Sequence, residues 1–306
     1  MISIGARLVR AAIRLYTYPY RKSHSSLSRS VKLDTKPYKP KRGLHSCEIS
    51  ANGTRVQIIS PEKPQNANGA IVQFHGGGHT QPLNKIHAKA AARLAELTRL
   101  PVYSIDYKTG DELVYPSVHD ECFAAFAYLL NGALKDKRVV AVGDSFGANL
   151  LLSACLRLRD GGSALPCAIV CASCYIDLAA TGSSYEKNCR TDPMYGLPKN
   201  QAFAPNEKAL RRTTPYCGDS SPFEPYLSPA FAEYSGFPIM LIQCGTTETS
   251  ESDNDMLYEK ARRAGVDVTL TKYDGMWHDF QYLTPFIKES KTAWKETAEF
   301  ICAAIR

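Results

Sequence analysis

Long apolar runs are missing from this sequence of 306 residues. No stretch approaches the uninterrupted apolar length that crosses a bilayer, so we expect no membrane-spanning helix. The N-terminal segment also lacks the continuous apolar core of a secretory signal.

Basic clusters are missing from most of the chain. Met1 to Cys47 contains eleven Lys and Arg against one acid, so residues 48–306 sum to −3 although the whole chain carries +7. A protein that binds nucleic acid needs basic clusters on its folded body. We therefore expect no nucleic-acid partner.

Paired metal ligands are missing as well. Among the ten cysteines, Cys167, Cys171 and Cys174 lie close together, but they lie along a run typical of a buried strand, and no second ligand pair follows them. We expect no metal site. Cysteines inside apolar runs favour a reducing compartment, so the expected location is the cytoplasm.

A strand, a tight turn and a helix are predicted in succession at the centre of the chain. Val139 to Val142 is β-branched and apolar, Gly-Asp-Ser-Phe-Gly follows, and Ala148 to Leu158 is a helical run. G-x-S-x-G between a strand and a helix is typical of a nucleophile elbow, where a sharp turn projects the serine hydroxyl. We interpret Ser145 as a nucleophile. The alternative is a glycine-rich turn that carries a solvent-exposed serine.

A second glycine run follows the short apolar strand predicted at Ala70 to Phe74. Successive glycines allow the backbone to turn its N–H groups into a cavity, as the oxyanion of acyl transfer requires. The run lacks the Lys-Ser/Thr of a P-loop and the spacing of a dinucleotide fold. We predict an oxyanion hole formed by the N–H groups of Gly76, Gly77 and Phe146; the alternative is a flexible or phosphate-binding loop. His75 is expected to anchor this loop, and Asp144 to fix the elbow.

A serine nucleophile needs a base, and the base needs an orienting acid. His278, after the last predicted strand, is the only histidine downstream of Ser145, so it is the predicted base. The predicted acid is Glu248, a few residues beyond the strand that ends at Cys244. Asp177 is the second choice. Other acids near Glu248 suit the first turn of the next helix better, where acids favour the helix dipole: Glu251, Asp253 and Asp255.

Strands alternate with helices of ten or more residues through most of the chain, which predicts a parallel sheet covered on both faces. After Asp177 the pattern stops, and Thr181 to Ser228 is polar and rich in proline. Long insertions of this kind usually carry function, so we interpret this one as part of a lid. Its larger side chains are either pocket-lining residues or the small core of the insertion: Tyr185, Met194, Tyr195, Phe203 and Tyr216.

The first 22 residues predict an amphipathic helix with Arg7, Arg10 and Arg14 on one face. Three interpretations remain open: a lid helix packed over the site, a helix on an anionic membrane surface, and a targeting segment. The lid is favoured, and contact with a membrane or with a second copy of the chain comes next.

Together these residues resemble the hormone-sensitive lipase-like carboxylesterases of the α/β-hydrolase superfamily, which include acetyl esterases and arylacetamide deacetylases. The resemblance covers Ala70 to the end of the chain. It rests on H-G-G-G at His75, D-Y at Asp106, G-D-S-x-G at Gly143, R-x-D-P-M at Arg190, Y-C-G-D at Tyr216, S-P-x-F at Ser228, A-G-V-D-V at Ala264 and G-M-x-H-x-F at Gly275.

The resemblance implies an α/β-hydrolase fold with a mostly parallel eight-stranded sheet and a helical cap. It implies hydrolysis of esters with short to medium acyl chains without a cofactor, with Ser145 as nucleophile, His278 as base and Glu248 as acid. Phe146 replaces a usually small residue, and its ring is expected to favour small acyl groups. An amide or formamide hydrolase and a non-catalytic receptor are the alternatives. The expected units are 1–44 (basic helix and connector, part of the cap), 45–178 (core), 179–228 (cap insertion) and 229–306 (core).

Overall fold

The computed structural model describes residues 2–23, 38–64, 66, 68–197 and 215–306. Most of the predicted N-terminal connector, from 24 to 37, and the predicted cap residue Phe203 lie outside the described residues.

The described chain forms one eight-stranded sheet, as predicted. Its strands run in the order β1-β2-β4-β3-β5-β6-β7-β8. β1 and β2 pair antiparallel, β2 pairs antiparallel with β4, and all other neighbours are parallel. The strands are β1 Leu44–Ala51, β2 Thr54–Pro61, β3 Gly69–Phe74, β4 Val102–Asp106, β5 Arg138–Asp144, β6 Ala168–Ala172, β7 Ile239–Gly245 and β8 Val268–Tyr273.

Helices connect the strands and cover both faces of the sheet. Those in the described residues are α1 Ile4–Ser23, α2 Lys85–Thr98, α3 Ser117–Asn131, α4 Phe146–Asp160, α5 Ser184–Lys187, α6 Glu251–Arg263, α7 Phe280–Leu283 and α8 Lys288–Ile305, with a 3-10 turn at Pro229–Phe231. None of these helices is both long enough and apolar enough to cross a membrane.

Successive side chains of the central strands point to opposite faces of the sheet, so the molecule has two hydrophobic cores. In β3, Val72 and Phe74 pack with α3 and α4, whereas Ile71 packs with α2 and α8 on the other face. Phe74 is fully buried and meets Phe126 of α3 edge-to-face, with 5.2 Å between ring centroids. Burying one such side chain contributes about 1.5–3 kcal/mol, and the period of two places each strand residue in one of the two cores.

Two element boundaries coincide with local features of the chain. Ser117 is the first residue of α3, and its Oγ donates to Val114 O at 2.5 Å. β6 ends at Ala172, and the next residue, Ser173, takes a left-handed φ of 48°.

The N-terminal helix α1 lies against the body near the end of the sheet. Ala6 is fully buried in a cluster with Trp277 and Phe280. The hydroxyl of Thr17 donates to Pro193 O at 2.5 Å. α1 therefore joins the loop after β8 to the segment that follows α5.

Candidate active site

Ser145 lies on the predicted sharp turn between β5 and α4. Its φ of 52° and ψ of −122° are rare for a residue with a side chain and cost about 1–3 kcal/mol. The flanking glycines make the turn possible. A Cβ on Gly143 would lie 2.7 Å from the carbonyl oxygen of Gly147, and a Cβ on Gly147 would lie 2.5 Å from the carbonyl oxygen of His75. Only glycine fits this crossing of backbones.

Three predicted side chains from distant parts of the chain meet at this turn. The Nε2 atom of His278 lies 2.8 Å from Ser145 Oγ, and its Nδ1 atom lies 3.0 Å from Glu248 Oε2. Ser145, His278 and Glu248 are 8%, 4% and 0% exposed. The loops after β5, β7 and β8 supply them, so all three come from the carboxyl ends of parallel strands.

The hydrogen bonds of Glu248 determine which nitrogen of the His278 imidazole carries the hydrogen. Glu248 Oε1 accepts hydrogen bonds from Ser173 Oγ, at 2.9 Å, and from the N–H of Gly245. A carboxylate only accepts, so the Nδ1 atom of His278 carries the hydrogen that faces Oε2. The Nε2 atom is then free to accept from the hydroxyl of Ser145. This is the tautomer of a general base.

The rival acids are engaged elsewhere. Asp253 Oδ2 accepts from the N–H groups of Ile176 and Asp177, at 2.9 and 3.0 Å. Asp177 accepts from the N–H and hydroxyl of Thr181 in its own turn. Glu251 and Asp255 form ion pairs with Lys272.

A further carboxyl, which the sequence analysis missed, lies on the serine side of the imidazole. Asp279 Oδ2 is 3.4 Å from His278 Nε2, and Asp279 holds a left-handed φ of 51°. Its N–H donates to Ser173 Oγ at 2.9 Å. Burial raises the pKa of Asp279 to about 7, against the opposing charge of His278. Its position directly after the predicted base was the available signal.

The charge state of His278 reflects this acidic setting. Burial lowers the pKa of the imidazole, but the charges of Asp279 and Glu248 and the hydrogen bond to Glu248 outweigh burial and raise the pKa above its ordinary value. Asp192, and Asp144 at the end of β5, also interact electrostatically with the imidazole. Burial raises the pKa of the Asp144 carboxyl well above its usual range. Acids thus surround the imidazole.

In the glycine loop after β3, one of the N–H groups predicted for the oxyanion hole has another partner. The N–H of Gly76 donates to Asp144 Oδ2 at 3.1 Å, so this N–H is occupied and does not face an oxyanion. Among the described residues, the N–H groups of Gly77, Gly78 and Phe146 have no acceptor. Gly77 and Gly78 have φ of 104° and 65°. The three free donors are therefore Gly77, Gly78 and Phe146, and Asp144 ties the elbow to the loop.

Tyr107 contacts the glycine loop through His75. Its hydroxyl lies 2.8 Å from His75 O, and its ring stacks on the imidazole of His75 with 4.1 Å between centroids. His75 Nδ1 in turn lies 2.8 Å from Gly76 O. Burial lowers the pKa of His75 to about 4, so at neutral pH its Nδ1–H donates to that carbonyl. His75 and Tyr107 thus anchor the loop.

Phe146, the residue after Ser145, lies in a group of packed rings. Phe146, 2% exposed, meets Tyr216 edge-to-face at 5.4 Å. A buried chain of hydrogen bonds fixes Tyr216: its hydroxyl lies 2.7 Å from His119 Nδ1, and His119 Nε2 lies 3.0 Å from Asn149 Oδ1. Asn149 Nδ2 donates to Leu227 O at 3.0 Å, so Oδ1 must accept from Nε2–H. The Nδ1 atom then accepts from Tyr216.

The other predicted cap residues have different positions. Tyr195 meets His278 edge-to-face at 5.1 Å, and Asp192 orients it by accepting from the N–H groups of Met194 and Tyr195. Met194 packs with α1. Tyr185 lies away from the serine, where its hydroxyl is 3.2 Å from Asp253 Oδ2.

Comparison with known proteins places this arrangement among hydrolases. Residues 71–282 match the model of a family described as having the alpha/beta hydrolase fold. An esterase of Acinetobacter venetianus is 32% identical over 84% of this chain and 78% of its own. An acetyl-hydrolase of Streptomyces hygroscopicus is 29% identical over 79% and 78%. The crystal structure of an esterase from the bacterial hormone-sensitive lipase family superimposes with a TM-score of 0.82 and 26% identity over the whole of both chains.

The match covers more than half of the chain, and the fold, the sheet order and the serine elbow agree with it. The chain therefore belongs to the α/β-hydrolase family, among its hormone-sensitive lipase-like members, and it is a carboxylic ester hydrolase.

Proposed function

We propose that this protein hydrolyses esters of short acyl chains, acetyl esters among them, through an acyl-serine intermediate on Ser145. The observation that carries the proposal is the continuous line of hydrogen bonds from Ser145 Oγ through His278 to Glu248, at 2.8 and 3.0 Å. A serine hydroxyl becomes a useful nucleophile at neutral pH when such a base removes its proton.

The proposed reaction has two halves. Ser145 Oγ attacks the ester carbonyl carbon while His278 Nε2 takes the hydroxyl proton, and Glu248 stabilises the imidazolium. Collapse of the tetrahedral intermediate breaks the bond to the alcohol oxygen, which leaves with the proton from Nε2. Water then attacks the acyl-serine in the same way, and the carboxylic acid is released.

The developing oxyanion requires fixed donors. We assign this role to the N–H groups of Gly77, Gly78 and Phe146, which have no acceptor among the described residues. The third donor lies in the first turn of α4, whose positive end favours negative charge. Removal of one such donor typically costs about a hundred- to a thousandfold in rate.

The preference for short acyl chains is supported by the rings beside the serine. Phe146 directly follows Ser145, and its position is fixed by contacts with Tyr216 and His119. Tyr216 is itself held by the buried bond to His119, so the wall does not yield easily to a long chain. These contacts favour a small acyl group on the side of Phe146.

We also infer that segments 1–44 and 179–228 act together as a cap. Arg10 of α1 donates to Thr191 O at 2.9 Å, and Thr17 donates to Pro193 O at 2.5 Å. Tyr195, a few residues further on, contacts His278. The two segments thus support each other beside the imidazole.

A series of p-nitrophenyl esters from acetate through butyrate to octanoate tests this function. We expect the highest kcat/KM with acetate or butyrate. Ser145→Ala should lose about 10⁴-fold or more. Phe146→Ala should raise the octanoate-to-acetate ratio of kcat/KM by about tenfold, because it opens the wall.

The matched control for Phe146 is Phe286→Ala, since Phe286 is 63% exposed, whereas Phe146 is buried among other rings. It should leave the ratio unchanged. Equal turnover by wild type and Ser145→Ala would refute the acyl-serine. An octanoate optimum in the wild type would refute the short-chain preference but leave the nucleophile intact.

A further inference from the structure

The outward side of α1 carries an apolar stripe. Ile4, Leu8 and Leu15 are 78%, 69% and 78% exposed. At 3.6 residues per turn, the three positions lie within about 40° of one another around the helix. Solvent-exposed apolar residues that cluster in this way mark a contact surface, whereas scattered single ones do not.

This stripe is not needed to hold α1 on the protein. The inward side does so, because Ala6, Val9 and Ile13 belong to the cluster around Trp277 and Phe280. α1 therefore has two apolar sides, whereas a helix that only covers a core needs one. The outward side remains without an explanation in the fold.

The charges on and around α1 indicate which kind of surface its outward side contacts. α1 contains no acidic residue, and Arg7 lies exposed beside the stripe. Tyr18, 46% exposed, lies on the same side of the helix near its end. The first 47 residues carry a net charge of +10, against −3 for the remainder. An apolar stripe flanked by basic residues and an interfacial aromatic side chain is typical of a helix in the headgroup region of a membrane.

A second copy of the chain fits this surface less well. A symmetric contact through the stripe would bring the basic α1 helices of two copies together, with no acid on either helix to compensate. Anionic lipid headgroups supply the missing negative charge.

We propose that α1 is an interfacial helix that attaches this protein to an anionic lipid surface through Ile4, Leu8 and Leu15. The inward side of α1 packs on Trp277, the residue before His278, so the attached membrane lies close to the site. The attachment itself does not depend on the catalytic roles proposed above.

Co-sedimentation of the full-length protein with vesicles tests this proposal. One set contains equal parts of phosphatidylcholine and phosphatidylserine, and the other contains phosphatidylcholine alone. We expect binding to the first set, weakening as salt is added. Leu8→Ser with Leu15→Ser should lower the partition coefficient at least about tenfold, and Arg7→Gln about fivefold.

Leu97→Ser is the matched control, since Leu97 is 44% exposed on α2. This variant should bind the vesicles as the wild type does. Circular dichroism and turnover of p-nitrophenyl acetate without vesicles should be unchanged in every variant, which separates a lost surface from a lost fold. Absence of vesicle binding by the wild type, or equal binding by the double serine variant, would overturn the proposal. So would a lipid-free dimer that this variant converts to a monomer, because a second copy would then occupy the stripe.

Discussion

Glu248→Gln replaces one oxygen of the proposed acid by an amide nitrogen, and the structure determines where that nitrogen goes. Ser173 Oγ and the N–H of Gly245 both donate to Oε1, so the oxygen of the glutamine must remain there. The NH₂ group then occupies the Oε2 position, 3.0 Å from Nδ1 of His278. Because NH₂ only donates, Nδ1 must present its lone pair, and the hydrogen moves to Nε2.

The imidazole in that tautomer cannot accept the proton of Ser145. The analogous change in serine hydrolases lowers kcat by about 10⁴-fold while the geometry survives, which corresponds to about 5.5 kcal/mol of transition-state stabilisation. We expect a loss of this order for Glu248→Gln with p-nitrophenyl acetate and little change in KM. Steady-state kinetics at neutral pH, together with a thermal melt, measure both the loss and the persistence of the fold.

Asp255→Asn is the control, because Asp255 is a nearby acid whose carboxylate pairs with Lys272. It should change kcat by less than about threefold, as for an exposed ion pair. If Glu248→Gln and Asp255→Asn lose rate to a similar small extent, Glu248 is not the acid and does not set the tautomer of His278.

Two further predictions concern the base and the glycine loop. Since an imidazolium cannot accept a proton, kcat/KM should rise with pH through the pKa of His278, which its acidic neighbours raise above its ordinary value. Asp279→Asn removes one of them and should move this rise to lower pH by about one unit or more, as a pH–rate profile will measure. Tyr107→Phe removes the hydroxyl that donates to His75 O at 2.8 Å. It should lower kcat about three- to tenfold, as expected for one hydrogen bond.

Each of these predictions has a control on a neighbouring residue. Asp274→Asn removes an exposed acid five residues before Asp279 and should leave the pH profile in place. Tyr103→Phe changes a half-buried tyrosine on the same strand that leads to Tyr107 and should leave kcat unchanged. A profile that moves equally in both aspartate variants would show that net charge acts at long range. Equal losses in both tyrosine variants would show that Tyr107 does not act through the loop.

The sheet could be predicted from sequence because its signals are local. β-branched runs such as Val139 to Val142 and the Asn52-Gly53 turn specify strands and a hairpin without help from the rest of the chain. Asn52 and Gly53 have φ of 51° and 86°, as a tight two-residue hairpin turn requires. Sharp backbone turns also require glycine at fixed positions, so the position of the elbow could be predicted from Gly143 and Gly147.

The details of the site depend on contacts that no local pattern records. Gly76 and Gly77 look alike in sequence, but the partner of Gly76 is Asp144, which lies 68 residues further on. The same holds for Ser173, whose hydroxyl reaches Glu248, 75 residues away. The helical period of α1 predicted that Arg7, Arg10 and Arg14 share one face. It could not predict which of the apolar residues pack on the protein, because periodicity does not say which residues meet a partner.

The most direct test of the central claim is the identification of the residue that forms a covalent bond with an acyl-like inhibitor. The intact protein is treated with diethyl p-nitrophenyl phosphate and analysed by mass spectrometry of its peptides. We predict one diethylphosphoryl group, on the peptide that contains Ser145, with labelling abolished in Ser145→Ala and strongly slowed in Glu248→Gln. Labelling on another residue, or at an unchanged rate in Ser145→Ala, would contradict the account.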